Sequence, residues 1–143
     1  MLTCSKLYGD IPFAHRQPQH DGHCAFIHGH NWSFKLTFSS KELDKNGFVV
    51  DFGKLKSIKQ WIDKNLDHAC LLCHDDPILQ NLETETLRSA FKLYVIEDAS
   101  SEGLAVHLFE VFNKVVCELT NMRAQLISLE VFEDMKNSAR YTP

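Results

Sequence analysis

The sequence predicts an α+β fold in which an antiparallel sheet carries helices on one face, and three patterns carry that prediction. Trp32, Phe34, Leu36 and Phe38 alternate with Ser33, Lys35, Thr37 and Ser39, the period of a half-buried strand. Near the C-terminus, Ile127, Leu129 and Val131 alternate with Ser128 and Glu130 in the same way. Between these strands, Phe52, Leu55, Ile58 and Ile62, and later Leu104, Leu108, Phe112, Val115 and Leu119, recur at helical spacing. Strands at both ends with helices between them bury the helices' apolar stripes against one sheet face, and four antiparallel strands meet the requirement.

Lys6 to His15 reads as the first extended segment, able to pair antiparallel with the strand from His28; the loop between them holds Cys24. Asn46-Gly47 is a hairpin signal, followed by a short apolar strand, Phe48-Val49-Val50. Asp51 is a suitable N-cap for a helix reaching about Asn65. Asp75 to Glu85, polar and containing Pro77, reads as a loop or a loop with a short helical turn, and Lys92 to Glu97 as a short extended piece. Ser100 or Ser101 caps the long helix, whose first turn Gly103 weakens slightly. The last strand, Gln125 to Glu133, puts Glu133 on its apolar face. A carboxylate there is costly unless something supplies hydrogen-bond donors.

With 143 residues, 44% hydrophobic and 24% charged, the chain is expected to form one domain, 1–143, with an adequate core. A net charge of −4 with scattered basic residues lacks the footprint of a nucleic-acid binder. No apolar run approaches the roughly 20 residues that span a bilayer, and Met1 to Asp10 lacks the pattern of a signal peptide, so a cytoplasmic protein without a membrane partner is expected. Five cysteines, an odd number, point to reduced thiols. Cys70-Leu71-Leu72-Cys73-His74 matches the spacing of a redox dithiol and of haem attachment. A single CxxC supplies only half of a four-ligand metal site, however, and haem attachment follows export, so small apolar packing is the simplest account.

The chemistry concentrates in Cys24-Ala25-Phe26-Ile27-His28-Gly29-His30-Asn31-Trp32. Residues two apart in a strand share a face, so His28 and His30 project together, roughly 6 to 7 Å apart at Cα. Paired neutral imidazoles suit zinc, and a catalytic zinc takes three protein ligands and keeps one position open. His15 is the best third ligand, because its segment can pair with the strand from His28; His20 and His23 compete for the place. Asp67-His68 is a further candidate, since an aspartate can orient an imidazole that activates a thiol elsewhere. Adjacent side chains rarely meet in regular structure, so this pair needs an irregular turn. Cys24 would be the thiol, as nucleophile or base, unless it closes the zinc site as a fourth ligand.

Taken in order, Phe13-Ala14-His15-Arg16, Cys24 with His28-Gly29-His30-Asn31-Trp32, Gly47-Phe48-Val49-Val50-Asp51-Phe52, Leu66-Asp67-His68, Ser100-Ser101-Glu102 with Leu104-Ala105, and Val131-Phe132-Glu133 resemble the 6-pyruvoyl-tetrahydropterin synthase family over nearly the whole chain. The three residues between Cys24 and His28 look like the 6-carboxy-tetrahydropterin synthase branch of queuosine biosynthesis rather than the biopterin branch. The resemblance implies a T-fold, with strands of three subunits forming a barrel and two trimers stacking as a homohexamer with active sites at subunit interfaces. It implies zinc on His15, His28 and His30, a catalytic group of Cys24, Asp67 and His68, and pterin anchoring by Glu133 with help from Ser100 and Ser101. The implied substrate is 7,8-dihydroneopterin triphosphate, converted to 6-carboxy-5,6,7,8-tetrahydropterin, acetaldehyde and triphosphate. The sequence departs from the family pattern at Asp134 (commonly threonine), Ala99 (a proline) and Cys73 (often asparagine). Arg16, Lys54, Lys56 and Arg140 are equal candidates for the triphosphate. The alternatives are a 6-pyruvoyl-tetrahydropterin synthase, an aldolase serving folate synthesis, and a zinc- or pterin-binding module without turnover.

Overall fold

The computed structural model describes residues 1–143, the side chain of Glu83 excepted. Six strands form one mixed sheet in the order β4-β3-β1-β2-β5-β6. The long strands are β1 (Leu2–His15), β2 (His28–Ser40) and β5 (Ala124–Phe132); the short ones are β3 (Cys70–Cys73), β4 (Leu93–Ile96) and β6 (Ser138–Tyr141). The helices are α1 (Lys56–Asn65), α2 (Glu85–Arg88) and α3 (Ser101–Leu119). β1, β2, β5 and β6 run antiparallel, whereas β3 is parallel to both β1 and β4. The expected α+β class holds, but the four-stranded antiparallel sheet becomes a six-stranded mixed one.

The core lies between one sheet face and helices α1 and α3. Trp32, Phe34, Leu36 and Phe38 from β2 are fully buried against Leu129 and Val131 of β5, and Leu104, Leu108, Phe112 and Val116 of α3 close over them. α1 adds Ile58 and Ile62; Phe52, assigned to the same stripe, is exposed, because a 3-10 turn over Phe52–Leu55 precedes the α-helix. Asp51 caps that turn by accepting from Gly53 N at 2.9 Å, as its sequence position predicts.

Two bulges set which residues face this core. In β1, Gly9 and Asp10 together oppose Ser33, so the inward series shifts from Tyr8 to Ile11, Phe13 and His15. Asp10 takes φ 57°, a left-handed conformation that aspartate tolerates better than most residues. In β5, Ile127 is the extra residue between the pairs Ser128–Thr37 and Leu126–Phe38. Leu126 therefore takes the buried place assigned to Ile127 from alternation.

Other expectations fail for identifiable reasons. Phe48-Val49-Val50 is buried in part but is no strand, because the Phe48 and Val49 carbonyls accept from the Arg123 guanidinium instead of a ladder. The Asn46-Gly47 turn forms, with Gly47 at φ 81° and the Asp44 carboxylate accepting from Asn46 N and Phe48 N, but it joins no pair of strands. Cys70–Cys73 is a strand buried on both sides: Leu71 and Cys73 face the main core, while Cys70 and Leu72 face a second cluster with Leu82, Ile78, Leu87 and Phe91. The 3-10 turn Pro77–Glu83 and α2 thus cover the opposite sheet face at β3, so helical cover is not confined to one side.

Gly103 also differs from its expected role. A Cβ there would collide with the Asp98 carbonyl and side chain, so glycine permits the close approach of the β4–α3 connection to the helix's first turn. Gly103→Ala is expected to destabilise the protein by ~1–3 kcal/mol in urea unfolding, since overpacking this contact outweighs alanine's better helix propensity. Unchanged or raised stability would show that the connection yields freely.

Candidate active site

Three imidazoles meet where β1 ends and β2 begins. β1 pairs with β2 so that His15 opposes His28 and Phe13 opposes His30, which places all three histidines on the core face at the open end of the strand pair. One ring nitrogen from each lies within 4.8 Å of the others. His20 and His23, the competing loop histidines, are exposed and outside this cluster, and Cys24 is outside it too. Below the histidines, Trp32 forms the floor: its ring lies edge-on to His15 at 4.8 Å and to His30 at 5.1 Å, and it stacks on Phe13 at 4.5 Å.

The hydrogen bonds around the rings prepare them for a cation. His15 Nδ1 lies 2.8 Å from the Ala99 carbonyl and His28 Nδ1 lies 2.7 Å from the Phe26 carbonyl. A carbonyl only accepts, so each Nδ1 carries the proton and each Nε2 keeps its lone pair. His30 Nε2 is buried without a hydrogen-bond partner, an arrangement that costs free energy unless something binds there. Burial pushes the pKa of His15 below the usual imidazole range, against the opposing pull of the Ala99 carbonyl. Neutral imidazoles with free lone pairs fit a zinc ion.

Glu133 sits just past β5, one step beyond the Ser33–Phe132 pair, beside this cluster. Its Oε1 is 3.9 Å from His15 Nε2 and accepts from the Ser101 hydroxyl. Ser101 is buried, whereas the Ser100 hydroxyl caps α3 by accepting from Gly103 N at 3.0 Å and keeps its own O–H to donate. Glu133, His30, Asn31 and Asp10 line one cleft with Leu7, Phe132 and Met135, about 590 Å³ in volume. An apolar-walled cleft with a few polar groups is what a flat heterocycle requires.

Asp67 and His68 do meet, and the irregular turn that their contact needs is present. His68 adopts φ 61°, donates its backbone N–H to Pro12 O at 2.7 Å, and brings its Nδ1 to 2.9 Å from Asp67 Oδ1. Both lie toward solvent, and among the described residues no hydrogen bond or ion pair joins them to Cys24. Cys24 occupies a 3-10 turn, His23–Ala25, in the β1–β2 loop. Its carbonyl accepts from Gln17 N at 2.7 Å.

Arg16, one of the four candidates for the triphosphate, is hydrogen-bonded to Asp76, with Nε 2.7 Å from Oδ2 and Nη2 2.6 Å from Oδ1. Arg140 is likewise paired, with Glu130. The Asp76 carboxylate is fully enclosed, and nothing in the sequence marks it among the acidic residues of its polar segment. Two departures from the family pattern also meet here: Ala99 donates its N–H to the Cys73 thiol at 3.2 Å, a bond that a proline could not make. Asp134 shapes the turn into β6 by accepting from Lys136 N and Asn137 N.

The 6-pyruvoyl tetrahydropterin synthase family model matches residues 7–143. The chain belongs to this family. The 6-carboxy-5,6,7,8-tetrahydropterin synthase of Rickettsia typhi is 35% identical over 118 residues, covering 80% of this chain and 83% of that protein. The one from Rickettsia conorii is 33% identical over the same shares. Among solved structures, an uncharacterised protein of Wolinella succinogenes superimposes with a TM-score of 0.85 at 22% identity, covering 99% of this chain and 97% of its own. The 6-pyruvoyl tetrahydropterin synthase of Caenorhabditis elegans gives 0.67 at 22% identity, covering 99% and 95%. These likenesses establish the T-fold of the chain.

The Arg16 guanidinium, hydrogen-bonded to Asp76, holds that carboxyl below the usual carboxylate range. A depressed folded-state pKa contributes stability that is complete above the unfolded value, about 3.9, and is lost as pH falls through the lower folded value. Acid unfolding of the wild type is therefore expected to steepen below about pH 4, and Asp76→Asn to flatten that limb while lowering stability at pH 7. Parallel acid limbs for the two proteins would count against it.

Proposed function

We propose that the chain is a zinc-dependent 6-carboxy-5,6,7,8-tetrahydropterin synthase of queuosine biosynthesis, converting 7,8-dihydroneopterin triphosphate and one water to 6-carboxy-5,6,7,8-tetrahydropterin, acetaldehyde and triphosphate. The observation that carries the reading is the cluster of three imidazoles, two with Nε2 left free by backbone hydrogen bonds and one with Nε2 buried and unpartnered, beside the Glu133 carboxylate. The names of the Rickettsia relatives support the same product.

His15, His28 and His30 would hold the zinc, which, with one position left open, would make a substrate side-chain hydroxyl more acidic. Glu133 would accept from the amino-pyrimidine edge of the pterin, so the ligand supplies the donors that a carboxylate at this strand end needs. Ser101, already donating to Glu133, would fix which carboxylate oxygen remains for the pterin. Ser100, whose hydroxyl accepts from Gly103 N in the cap and keeps its O–H to donate, would help hold the pterin beside Ser101. Cys24 would remove a proton from the side-chain carbon next to the hydroxyl. His68, oriented by Asp67, would return or collect protons as the side chain is cleaved.

The reading includes a homohexamer built as a dimer of trimers. Leu2, Leu7, Phe48 and Phe52 are exposed apolar side chains that further subunits would cover. Because Asp67 and His68 do not bond to Cys24 within one chain, a subunit interface is where the three would meet. A cytoplasmic location belongs to the same reading; no helix is long and apolar enough to cross a membrane.

Incubating the zinc-loaded protein with 7,8-dihydroneopterin triphosphate and analysing the products by mass spectrometry is expected to give acetaldehyde and a 6-carboxy pterin. A pyruvoyl product would assign the chain to the biopterin branch, and absence of turnover would make it a binding module. Cys24→Ala is expected to retain zinc, measured by elemental analysis, and to lose turnover by about 10³-fold or more, as for removal of an acid–base group. Loss of the metal in that variant would mark the thiol as a ligand.

A further inference from the structure

We propose that the buried Arg16–Asp76 ion pair is a positioning element for the Cys24 thiol, and that the segment following β3 serves to hold it. The inference rests on the reading of Cys24 as the reacting thiol.

Cys24 lies in a loop that leaves β1 directly after His15 and returns to β2 at His28. The loop contains a turn closed by His20 N to Gln17 O and a 3-10 turn closed by Ala25 N to Gly22 O and Phe26 N to His23 O. Two donors from its first residues hold the carbonyls around the thiol. Gln17 N donates to Cys24 O at 2.7 Å, and Arg16 Nη1 donates to Ala25 O at 3.2 Å. The carbonyls of Cys24 and Ala25, which flank the C-terminal side of the thiol-bearing residue, are therefore held by Gln17 N and Arg16 Nη1, and the second of these depends on where the Arg16 guanidinium is held.

Arg16 is held by Asp76. The guanidinium makes a two-point fork on the carboxylate through Nε and Nη2, which fixes its plane as well as its position, and this leaves Nη1 for Ala25. Asp76 is anchored in turn: its Oδ1 also accepts from Ile78 N at 3.0 Å, capping the Pro77–Glu83 turn that packs on the outer face of β3. The side chain of Asp76 is 0% exposed and that of Arg16 18%. A buried ion pair of this kind adds little stability over an apolar pair of the same size, so its useful property is geometry. The path runs from β3 through Asp76 and Arg16 to Ala25, one residue from the thiol. Sequence alone gives the segment after Cys73 no task; here it supplies the anchor.

The test uses the zinc-loaded protein with Asp76→Asn, Asp76→Glu and Arg16→Lys. Steady-state kinetics are measured on 7,8-dihydroneopterin triphosphate, zinc by elemental analysis, folding by thermal melt, and the iodoacetamide alkylation rate of Cys24 by mass spectrometry of its peptide. Asp76→Asn is expected to lower kcat about 10- to 100-fold, as loss of supporting contacts does, with zinc retained, KM changed less than about threefold and the alkylation rate of Cys24 shifted. Arg16→Lys keeps the charge without the fork and should behave like Asp76→Asn, while Asp76→Glu restores part of kcat. The proposal is overturned by a kcat within about twofold of wild type, by loss of zinc in step with activity, or by an unaltered alkylation rate in folded protein. If Asp76→Asn does not fold, the other two variants carry the same readouts. If the wild type turns over no pterin, the enzymatic reading fails while the alkylation rates still decide whether the pair positions the thiol.

Discussion

The register of β1 against β2 is the constraint on which the rest of the site depends. Pairing His15 with His28 and Phe13 with His30 brings three imidazoles to one face from two strands, and no contact within either strand alone could do so. The register holds because Ile11 and Phe13 of β1 and Trp32 and Phe34 of β2 are buried on the same face, and a slip of either strand by one residue would turn its own pair to the opposite face. The Gly9–Asp10 bulge is part of this arrangement. Tyr8 packs inward in the first half of β1, and without the extra residue the same face would receive Pro12 and Ala14 in place of Phe13 and His15.

Around that register, the backbone prepares the rings more than the neighbouring side chains do. The Ala99 and Phe26 carbonyls each set one tautomer, and both belong to connections rather than to strands. Ala99 is fixed from its other side by the Cys73 thiol, and Phe26 lies in the loop that Arg16 and Gln17 hold. The chain between Cys70 and Ser101 therefore touches the site twice, at His15 and at the Cys24 loop. This gives physical content to residues 75–85, which from their composition read as a loop or a loop with a short helical turn.

Much of this was legible in the sequence where periodicity is strong and local. Alternation from Trp32 to Phe38 and the helical stripe from Leu104 to Phe112 locate β2 and α3, and the two-residue spacing of His28 and His30 follows from strand geometry. The third histidine and the remote Glu133 were reachable because each ends a readable strand. Features that depend on pairing between distant segments were not legible. Cys70–Cys73 is too short and too uniformly apolar to show a period, and its parallel neighbours are remote in sequence. The bulge at Ile127 leaves alternation looking regular while moving Leu126 into the core. Asp76 is indistinguishable from Asp75 until Arg16 is seen to reach it.

The proposed chemistry stands on an open three-histidine metal site with the Cys24 thiol left free. Anomalous diffraction at the zinc edge from crystals of the zinc-loaded protein tests it most directly. The expected result is a peak bonded to Nε2 of His15, His28 and His30 at about 2.0–2.1 Å, with no cysteine sulfur in the coordination sphere. A peak bonded to the sulfur of Cys24, or one held at Cys70 and Cys73 instead, would contradict it.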